Sequence, residues 1–305
     1  MSPPATPCLV GCTGSGKTDV GIAAARLVPG EVICCDAYTV YRGMPILTAA
    51  PTPPSDVPHH LLGILQPYDT YDAARFLVDA DHAIEVIHEH GKTPWIVGGT
   101  ALYLRCWLKG FGTKVPTDHA YREELKARVA EEGHEVLHAE LTEKDPERAS
   151  ELHPNDLRRV VRALEIIRHT GKPASEQRYD WGGPDRVPAK IAGLRRPFEE
   201  LDDRIERRTQ QMFDAGLVDE VKEVLTQQLS PQARKTLGLE EVRKLLEGEM
   251  TEQEAKEKII QRTKRFARKQ MTFFKSFEQL VWVDVDESED AETTAQRVVE
   301  AVGLG

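Results

Sequence analysis

Near the beginning of the chain, the eight residues Gly11-Cys-Thr-Gly-Ser-Gly-Lys-Thr18 form the motif that most clearly indicates the fold. It matches the pattern G-x-x-x-x-G-K-[ST], in which glycines let the backbone curl so that successive N–H groups point at phosphate oxygens. A short apolar run, Cys8-Leu-Val10, precedes it, and a helical pattern from Lys17 to Leu27 follows. A strand, a turn and a helix are the context that this motif needs, so the sequence predicts a phosphate-binding loop, or P-loop.

The residues of this loop have distinct expected tasks. Lys17 supplies a mobile positive charge, and the Thr18 hydroxyl can bind Mg²⁺, which we therefore expect as the cofactor. The motif predicts a site for a diphosphate or triphosphate and leaves the reaction open. The expected phosphate ligands are Gly11, Thr13, Gly14, Ser15, Gly16, Lys17 and Thr18.

Strands and helices alternate after the P-loop. A second apolar strand, Glu31 to Cys35, ends at Asp36, and a third, Thr93 to Val97, is followed by Gly98-Gly-Thr100. This alternation predicts an α/β fold with a doubly wound, mainly parallel sheet. Since ligands of such sheets lie outside the carboxyl ends of the strands, we expect Asp36 and Thr100 to meet the P-loop. The alternatives are that Asp36 only stabilises a turn and that Thr100 only bonds to nearby backbone.

The composition changes near Gly112, where the chain becomes charged and helical and contains few β-branched runs. We expect a mostly helical insertion domain at 115–187, between the two parts of a P-loop core at 1–114 and 188–305. Within the second part, helical patterns run from about Leu201 to Gln228 and from about Glu252 to Phe277, before a last strand at Leu280 to Val285.

Length and composition exclude several classes of protein. The chain has 305 residues, a formal net charge of −10 and no run of 18 apolar residues, so we expect no membrane partner. Its first residues lack the pattern of a signal peptide, and we expect a cytoplasmic monomer. The odd number of cysteines, five, without a C-x-x-C pair, argues against a disulfide framework or a zinc finger.

One segment is strongly basic. Between Lys256 and Lys275 there are eight basic residues and a single acidic one, Glu257. A basic segment within an acidic protein can bind the phosphates of a nucleic acid. The alternative is an ordinary solvated helix face.

Several segments together resemble the tRNA isopentenyltransferase family, whose members are tRNA dimethylallyltransferases. The resemblance covers nearly the whole chain, and motifs such as Val-Pro-His-His-Leu and Gly-Gly-Thr-x-Leu-Tyr are not general features of P-loop proteins. The matching segments are 11–18, 36–43 with 48–51, 57–61, 97–103, 153–156 with 159–165, 204–208 with 212–221, and 263–270.

The resemblance implies a reaction and a role for each catalytic residue. The donor would be dimethylallyl diphosphate, with its leaving group held by the P-loop, Lys17 and Mg²⁺ on Thr18. The acceptor would be the N6 amine of the adenosine 3′ of the anticodon in the tRNA anticodon stem-loop, and Asp36 would accept its proton. Thr100 would hold the substrates and Arg204 would contact the diphosphate. Surface salt bridging is the alternative for Arg204 and Arg208.

The resemblance also implies a set of tRNA contacts, because backbone charge and splayed loop bases dominate RNA recognition. Solvated surface charge is the alternative for each basic residue among them. The expected contacts are Asp36, Ala37, Tyr38, Thr39, Thr100, Arg122, Arg158, Arg159, Arg162, Arg262, Arg265 and Lys269.

The chain departs from the family pattern near the expected site. Ala37 and Thr39 stand where Ser and Gln are usual, and Leu47 and Ala50 stand where Gly and Lys are usual. Three other functions therefore stay open: prenyl transfer to free AMP, ADP or ATP, phosphoryl transfer by a P-loop small-molecule kinase, and RNA binding without catalysis.

Overall fold

A computed structural model describes residues 4–51, 56–110, 115–177 and 183–305. The chain divides into two compact units, which we call the core unit (Met1–Lys109 with Asp185–Gly305) and the inserted unit (Gly110–Pro184). None of the described helices is long and apolar enough to cross a membrane.

The core unit contains a six-stranded sheet in which every neighbouring pair is parallel, in the order β3-β2-β4-β1-β5-β6. The prediction of a doubly wound parallel sheet is confirmed. Its strands are β1 Thr6–Gly11, β2 Gly30–Cys35, β3 His59–His60, β4 Thr93–Gly98, β5 Ala189–Arg195 and β6 Leu280–Asp284.

Alternating side chains of the central strands enter two separate apolar cores, because successive residues of a strand point to opposite faces. Val10, Ile33 and Ile96 belong to the larger core. Their neighbours, among them Leu9 and Val32, pack into the second core on the other face. Both faces of the sheet are thus covered, as the apolar runs in the sequence indicated.

Helices cover both faces of the sheet. Helices α1 and α13 contact each other and belong to the smaller core, and the larger core includes residues of α3, α4 and α10–α12. The helices of this unit are α1 Lys17–Leu27, α2 Pro45–Thr48, α3 Ala73–Glu89, α4 Ala101–Lys109, α9 Phe198–Asp214, α10 Leu217–Val224, α11 Leu239–Leu246, α12 Glu252–Phe274 and α13 Ala291–Ala301, with a 3₁₀ turn at Ala233–Lys235.

One predicted helix is wrong in its extent. The helix predicted from Leu201 to Gln228 is two helices, because α9 ends at Asp214 and α10 begins at Leu217. Gly216 between them has φ of 95°, a left-handed conformation that interrupts a helix and that glycine adopts without strain. Helix α12 also ends at Phe274 rather than Phe277.

The inserted unit is helical and has an apolar core of its own, which includes Leu125, Leu137 and Leu164. Asp156 caps the last helix by accepting a hydrogen bond from the Arg159 N–H. We predicted the insertion at 115–187, and the contacts of the structure delimit this unit at Gly110–Pro184. Its helices are α5 His119–Glu132, α6 Glu135–Lys144, α7 Pro146–Ser150 and α8 Leu157–Thr170.

Candidate active site

Three loops meet at the carboxyl edge of the sheet because their strands, β2, β4 and β1, are neighbours. The P-loop follows β1, Asp36 follows β2, and the turn Gly98-Gly-Thr100 follows β4. The strand order therefore brings together the residues that the sequence singled out.

The P-loop has the conformation that its glycines allow. Gly14 and Gly16 have φ of 87° and 88°, both left-handed, and α1 begins at Lys17 directly after them. At Gly11 a Cβ atom would lie 2.5 Å from Ser15 Oγ, so a larger residue would displace the loop. The Ser15 side chain is fully buried, and among the described residues its hydroxyl has no hydrogen-bond partner. Ser15 can therefore reach a ligand only through its backbone.

Two arginines hold the loop from outside. Arg204 Nε donates to the Gly14 carbonyl oxygen at 2.7 Å, and Arg196 Nε donates to the Ser15 carbonyl oxygen at 3.1 Å. Because a trans peptide directs its C=O and N–H to opposite sides, the Gly16 N–H points away from Arg196. Arg204, which we expect to contact the diphosphate, thus holds a carbonyl of the loop, and the contact of the buried Arg196 was not predicted. Arg196 lies 181 residues from Ser15, so no local pattern could reveal this contact.

Lys17 lies close to both an anion and a cation. Its Nζ donates to the Cys12 carbonyl oxygen at 3.4 Å. Burial lowers the pKa of Lys17, the nearby Asp36 carboxylate opposes this shift, and the Arg208 guanidinium adds to it. An anion bound beside Lys17 would stabilise its charged form.

The two oxygens of the Asp36 carboxylate differ in their contacts. Its Oδ1 accepts hydrogen bonds from the Tyr38 N–H at 2.9 Å and the Thr39 N–H at 3.2 Å. Among the described residues, Oδ2 has no hydrogen-bond partner. Asp36 therefore does stabilise a turn, as in the alternative considered above, but it does so through Oδ1 alone. Its Oδ2 can still accept a proton.

Thr100 holds the Asp36 loop in place. Its Oγ1 accepts a hydrogen bond from the Ala37 N–H at 3.1 Å, across 63 residues of sequence. The hydroxyl hydrogen is not used in this contact and can still be donated to a ligand.

Gln270 joins two of the three loops. Its Oε1 accepts hydrogen bonds from the Thr13 N–H at 2.9 Å and the Thr13 hydroxyl at 3.2 Å. Its Nε2 donates to the Gly99 carbonyl oxygen at 2.8 Å. Gln270 lies in α12, 257 residues from Thr13, and its function was not predicted.

Arg208 is a further cation of the site to which no specific role was assigned. It lies one turn after Arg204 on α9, and among the described residues it has no ion-pair partner. Burial lowers the pKa of its guanidinium, and the Asp36 carboxylate opposes this shift. The spacing Arg204-x-x-x-Arg208 was the available signal, since it places both side chains on one helix face.

Three cavities lie around these residues, and Arg208 lines all of them. The cationic cavity is lined by Gly14, Gly16, Lys17, Thr18, Asp19, Arg204, Arg207, Arg208 and Gln211. The strand-end cavity is lined by Lys17, Thr18 and Asp36 together with apolar residues such as Val32, Pro51 and Val97. The aromatic cavity is lined by Asp36, Tyr38 and Phe266 together with apolar residues such as Leu47, Met212 and Ile259.

The residues present fit a magnesium ion bound together with a diphosphate. Thr18, whose hydroxyl can bind a metal ion, lines both the cationic and the strand-end cavity. Mg²⁺ binds oxygen and commonly takes only one or two protein ligands, with phosphate oxygens and waters as the others. The described residues contain no cluster of three or more His, Cys, Asp or Glu that would form an all-protein metal site, and Mg²⁺ bound with a substrate does not need one.

The predicted tRNA contacts near the three loops occupy different positions. Tyr38 lines the aromatic cavity and Thr39 the strand-end cavity. Within the described part of the chain, the buried Thr39 hydroxyl oxygen has no hydrogen-bond partner. Ala37 contributes its backbone N–H to Thr100.

On α12, the predicted basic stripe is divided by its ion pairs. Arg262 pairs with the buried carboxylate of Glu241. Arg265 and Lys269 are exposed and have no ion-pair partner among the described residues. Their neighbours Lys264 and Arg268 both pair with Asp202, so between Arg262 and Lys269 it is Arg265 and Lys269 whose charges have no ion pair among the described residues.

In the inserted unit, Arg122 and Arg162 both pair with Glu165, whose side chain is 1% exposed. This structural contact was not predicted. Arg159 pairs with Asp156 at 3.4 Å, and Arg158 is exposed without an ion-pair partner among the residues described there.

Comparison with known proteins identifies relatives over nearly the full length. A tRNA dimethylallyltransferase of Corynebacterium glutamicum is 39% identical over 300 residues, which cover 97% of this chain and 98% of that protein. "tRNA dimethylallyltransferase 2" of Geotalea uraniireducens is 39% identical over 285 residues, 92% of each chain.

Solved structures agree with this similarity. The tRNA isopentenylpyrophosphate transferase of Bacillus halodurans has a TM-score of 0.70 at 34% identity, over 98% of this chain and 96% of that one. A eukaryotic dimethylallyltransferase acting on tRNA has a TM-score of 0.83 at 26% identity, over 97% of this chain and 78% of that one. The sequence model described as IPP transferase matches residues 39–277. The chain therefore belongs to the IPP transferase family.

Proposed function

We propose that this protein transfers a dimethylallyl group from dimethylallyl diphosphate to the N6 amine of the adenosine 3′ of the anticodon in tRNA. The observation that carries the proposal is the position of Asp36. Its carboxylate lines two cavities, and its charge interacts with Lys17 and Arg208 of the phosphate site. A proton acceptor and a diphosphate site thus adjoin each other, as prenyl transfer to an amine requires.

The cationic cavity suits the diphosphate of the donor. Lys17, Arg204 and Arg208 line this cavity beside the P-loop. The Gly16 N–H of the loop points away from Arg196. These groups would stabilise the negative charge that grows on the leaving diphosphate. When bound at Thr18, Mg²⁺ would neutralise part of the same charge.

The strand-end cavity suits the dimethylallyl group. Lys17 and Thr18 line this cavity as well, so a diphosphate held by them has its apolar substituent beside Val32, Val97 and Pro51. Apolar walls also exclude water, which would compete with the amine for the allylic carbon.

The aromatic cavity suits the acceptor base. Tyr38 and Phe266 offer rings for stacking, which is how proteins hold bases turned out of an RNA loop. Asp36 lies in the wall between this cavity and the donor. In the reaction, N6 would form a bond to the allylic carbon, the carbon–oxygen bond would break with its electron pair leaving on diphosphate, and Asp36 Oδ2 would accept the N6 proton.

The tRNA backbone would be held by the unpaired cations. Arg265 and Lys269 of α12 and Arg158 of the inserted unit are exposed and have no ion-pair partner within the described ranges. We propose that these residues contact phosphates, since such contacts dominate the affinity of RNA-binding proteins. We place the reaction in the cytoplasm and expect a monomer to carry it out.

A comparison of acceptors tests the proposed function. The protein would be incubated with Mg²⁺ and dimethylallyl diphosphate together with either unmodified tRNA or AMP, and nucleosides would be analysed by mass spectrometry. The expected product is prenylated adenosine in tRNA, formed by the wild type and not by the Asp36→Asn variant. A product on AMP alone would assign a free-nucleotide prenyltransferase instead. Binding of tRNA without any product would leave an RNA-binding protein that lacks this activity.

A further inference from the structure

We infer that Gln270 is a positioning residue that fixes the P-loop and the turn Gly98-Gly-Thr100 of this active site relative to each other. The inference rests on the proposed prenyl transfer and concerns the rate of that step. Gln270 lines none of the three cavities described above, so it would act through its neighbours rather than on a substrate.

The amide of Gln270 is fully specified by its partners. On one side its oxygen accepts from both the backbone and the hydroxyl of Thr13, and on the other its nitrogen donates to the Gly99 carbonyl. A carbonyl oxygen can only accept and a backbone N–H can only donate, so the reversed amide would lose these contacts. The residue is 6% exposed, and a buried amide held at both ends has little freedom to move.

Each hydrogen-bond partner of Gln270 lies in a segment that holds or contacts a group of the proposed reaction. Thr13 belongs to the loop that ends in Lys17, on the donor side. Gly99 precedes Thr100, whose Oγ1 accepts the Ala37 N–H and so fixes the residue that follows Asp36, on the acceptor side. One side chain therefore adds a link between the diphosphate site and the proton acceptor beyond the pairing of strands β1, β4 and β2.

The space around this contact allows little displacement. A Cβ atom at Gly99 would lie 2.6 Å from Gln270 Nε2 and 3.4 Å from Lys17 Cε. Because only a hydrogen fits there, the Gln270 amide can approach the Gly99 carbonyl closely. A methyl group at Gly99 would push mainly against this amide without altering Gln270 itself, and it would also lie 3.3 Å from the Gly11 carbonyl oxygen.

The decisive experiment removes the hydrogen bonds but keeps the shape of the side chain. Gln270→Met retains length and volume, and Gln253→Met is the matched control, because Gln253 is exposed on the same helix. Steady-state kinetics on tRNA, binding of tRNA without donor, and thermal unfolding would be measured for each protein. Misplacement of reacting groups by about 1 Å can cost about 100-fold in rate. We expect kcat of Gln270→Met to fall by about 10- to 100-fold, tRNA affinity to change by less than about 3-fold, and the control to match the wild type.

A second variant keeps the test decisive if Gln270→Met folds poorly. In the otherwise wild-type chain, Gly99→Ala should lower kcat by displacing the same amide, and an unchanged kcat for this folded variant would overturn the inference. Where Gln270→Met folds, Gly99→Ala should cost clearly less in that background than in the wild type. Independent, additive effects of the two substitutions would overturn the inference, as would an unchanged kcat for the folded Gln270→Met protein. A wild-type protein without prenyl transfer would refute the proposed function and this inference together, whereas an active wild type with an unimpaired Gln270→Met would refute the inference alone.

Discussion

The two oxygens of Asp36 have different surroundings, and the proposed chemistry depends on this difference. Oδ1 accepts two backbone N–H groups and fixes the loop, whereas Oδ2 has no hydrogen-bond partner among the described residues. Substitution by asparagine separates the two tasks, since the side-chain oxygen of Asn can replace Oδ1 but its amide nitrogen cannot accept a proton.

We therefore expect Asp36→Asn to lower kcat by about 10²- to 10⁴-fold, the usual contribution of a general base. Its affinity for inorganic diphosphate should stay close to that of the wild type, because the P-loop contacts are untouched. Kinetics on tRNA and calorimetric titration with diphosphate would measure both quantities. Near-normal turnover in Asp36→Asn would rule out the carboxylate as the proton acceptor.

The charge of Lys17 should depend on whether an anion is bound beside it. Its pKa lies below the ordinary lysine value in the free protein, mainly because of burial, and a bound anion would raise it. Diphosphate binding at alkaline pH should therefore take up protons at Lys17, and the affinity should fall as pH rises through the pKa of the free protein.

Calorimetry in buffers of different ionisation enthalpy measures this proton uptake. Lys17→Arg is the control. Because arginine is always charged, any protons that this variant takes up on binding come from diphosphate and from other groups of the protein. The wild type should take up more protons than Lys17→Arg at alkaline pH. Equal uptake by both proteins would mean that Lys17 is already fully charged in the free protein.

Among the helices, α10 supports the short helix α2 beside the site. The Glu220 carboxylate accepts hydrogen bonds from the Ile46 N–H at 2.8 Å and the Leu47 N–H at 2.7 Å, two groups that a helix cannot satisfy at its own beginning. Burial raises the pKa of Glu220, whereas these two hydrogen bonds oppose that shift. Leu47 and Thr48 line the aromatic cavity, so the carboxylate also holds part of its wall.

Glu220→Ala should lower the free energy of unfolding by about 1–3 kcal/mol, the cost of leaving such donors without a partner. It should also raise KM for tRNA, because the wall that meets the base would loosen. Glu223→Ala is the matched control, since Glu223 is an exposed residue of the same helix. Urea unfolding and tRNA kinetics would measure both quantities. If Glu220→Ala and Glu223→Ala had the same free energy of unfolding and the same KM, the Glu220 carboxylate would not stabilise α2.

Helix α12 offers a direct comparison of free and paired cations. Arg265→Ala with Lys269→Ala should weaken tRNA binding and reduce its salt slope by about 1 for each phosphate that the variant no longer neutralises. Lys264→Ala with Arg268→Ala also removes two positive charges, but these two side chains already pair with Asp202. This double variant should therefore have a smaller effect on the salt slope. Filter binding over a range of salt concentrations would compare them. A slope unaffected by the first pair would remove this face of α12 from the tRNA interface.

Local patterns predicted the elements well where one segment carries its own signal. Strands β1, β2 and β4 and the P-loop follow from apolar runs and glycine spacing within a few residues. The predicted long helix at Leu201 failed because its periodicity continues across Gly216, and only the glycine indicated the break. At that position the glycine was a better guide to the helix boundary than the periodicity.

Across the whole molecule, two residues that hold the P-loop in place, Arg196 and Gln270, were not predicted from the sequence. The strand order brings Asp36, Thr100 and the P-loop to one edge, and the alternation of strands and helices was sufficient to expect that. Arg196 and Gln270 contact the P-loop across 181 and 257 residues, and each lies in a helix or loop whose local pattern gives no sign of this contact. The pairing of Arg122 and Arg162 with Glu165 was hidden for the same reason, since ion pairs across a helical unit depend on its packing.

The most direct test of the proposed function uses the smallest acceptor that contains the target base. An unmodified anticodon stem-loop oligonucleotide would be incubated with the protein, Mg²⁺ and dimethylallyl diphosphate, and its mass and fragments would be measured. We predict the addition of one dimethylallyl unit on the adenosine 3′ of the anticodon, and none when that adenosine is replaced by guanosine. An oligonucleotide that stays unmodified while the same protein prenylates AMP, or that is modified at another adenosine, would contradict the proposed function.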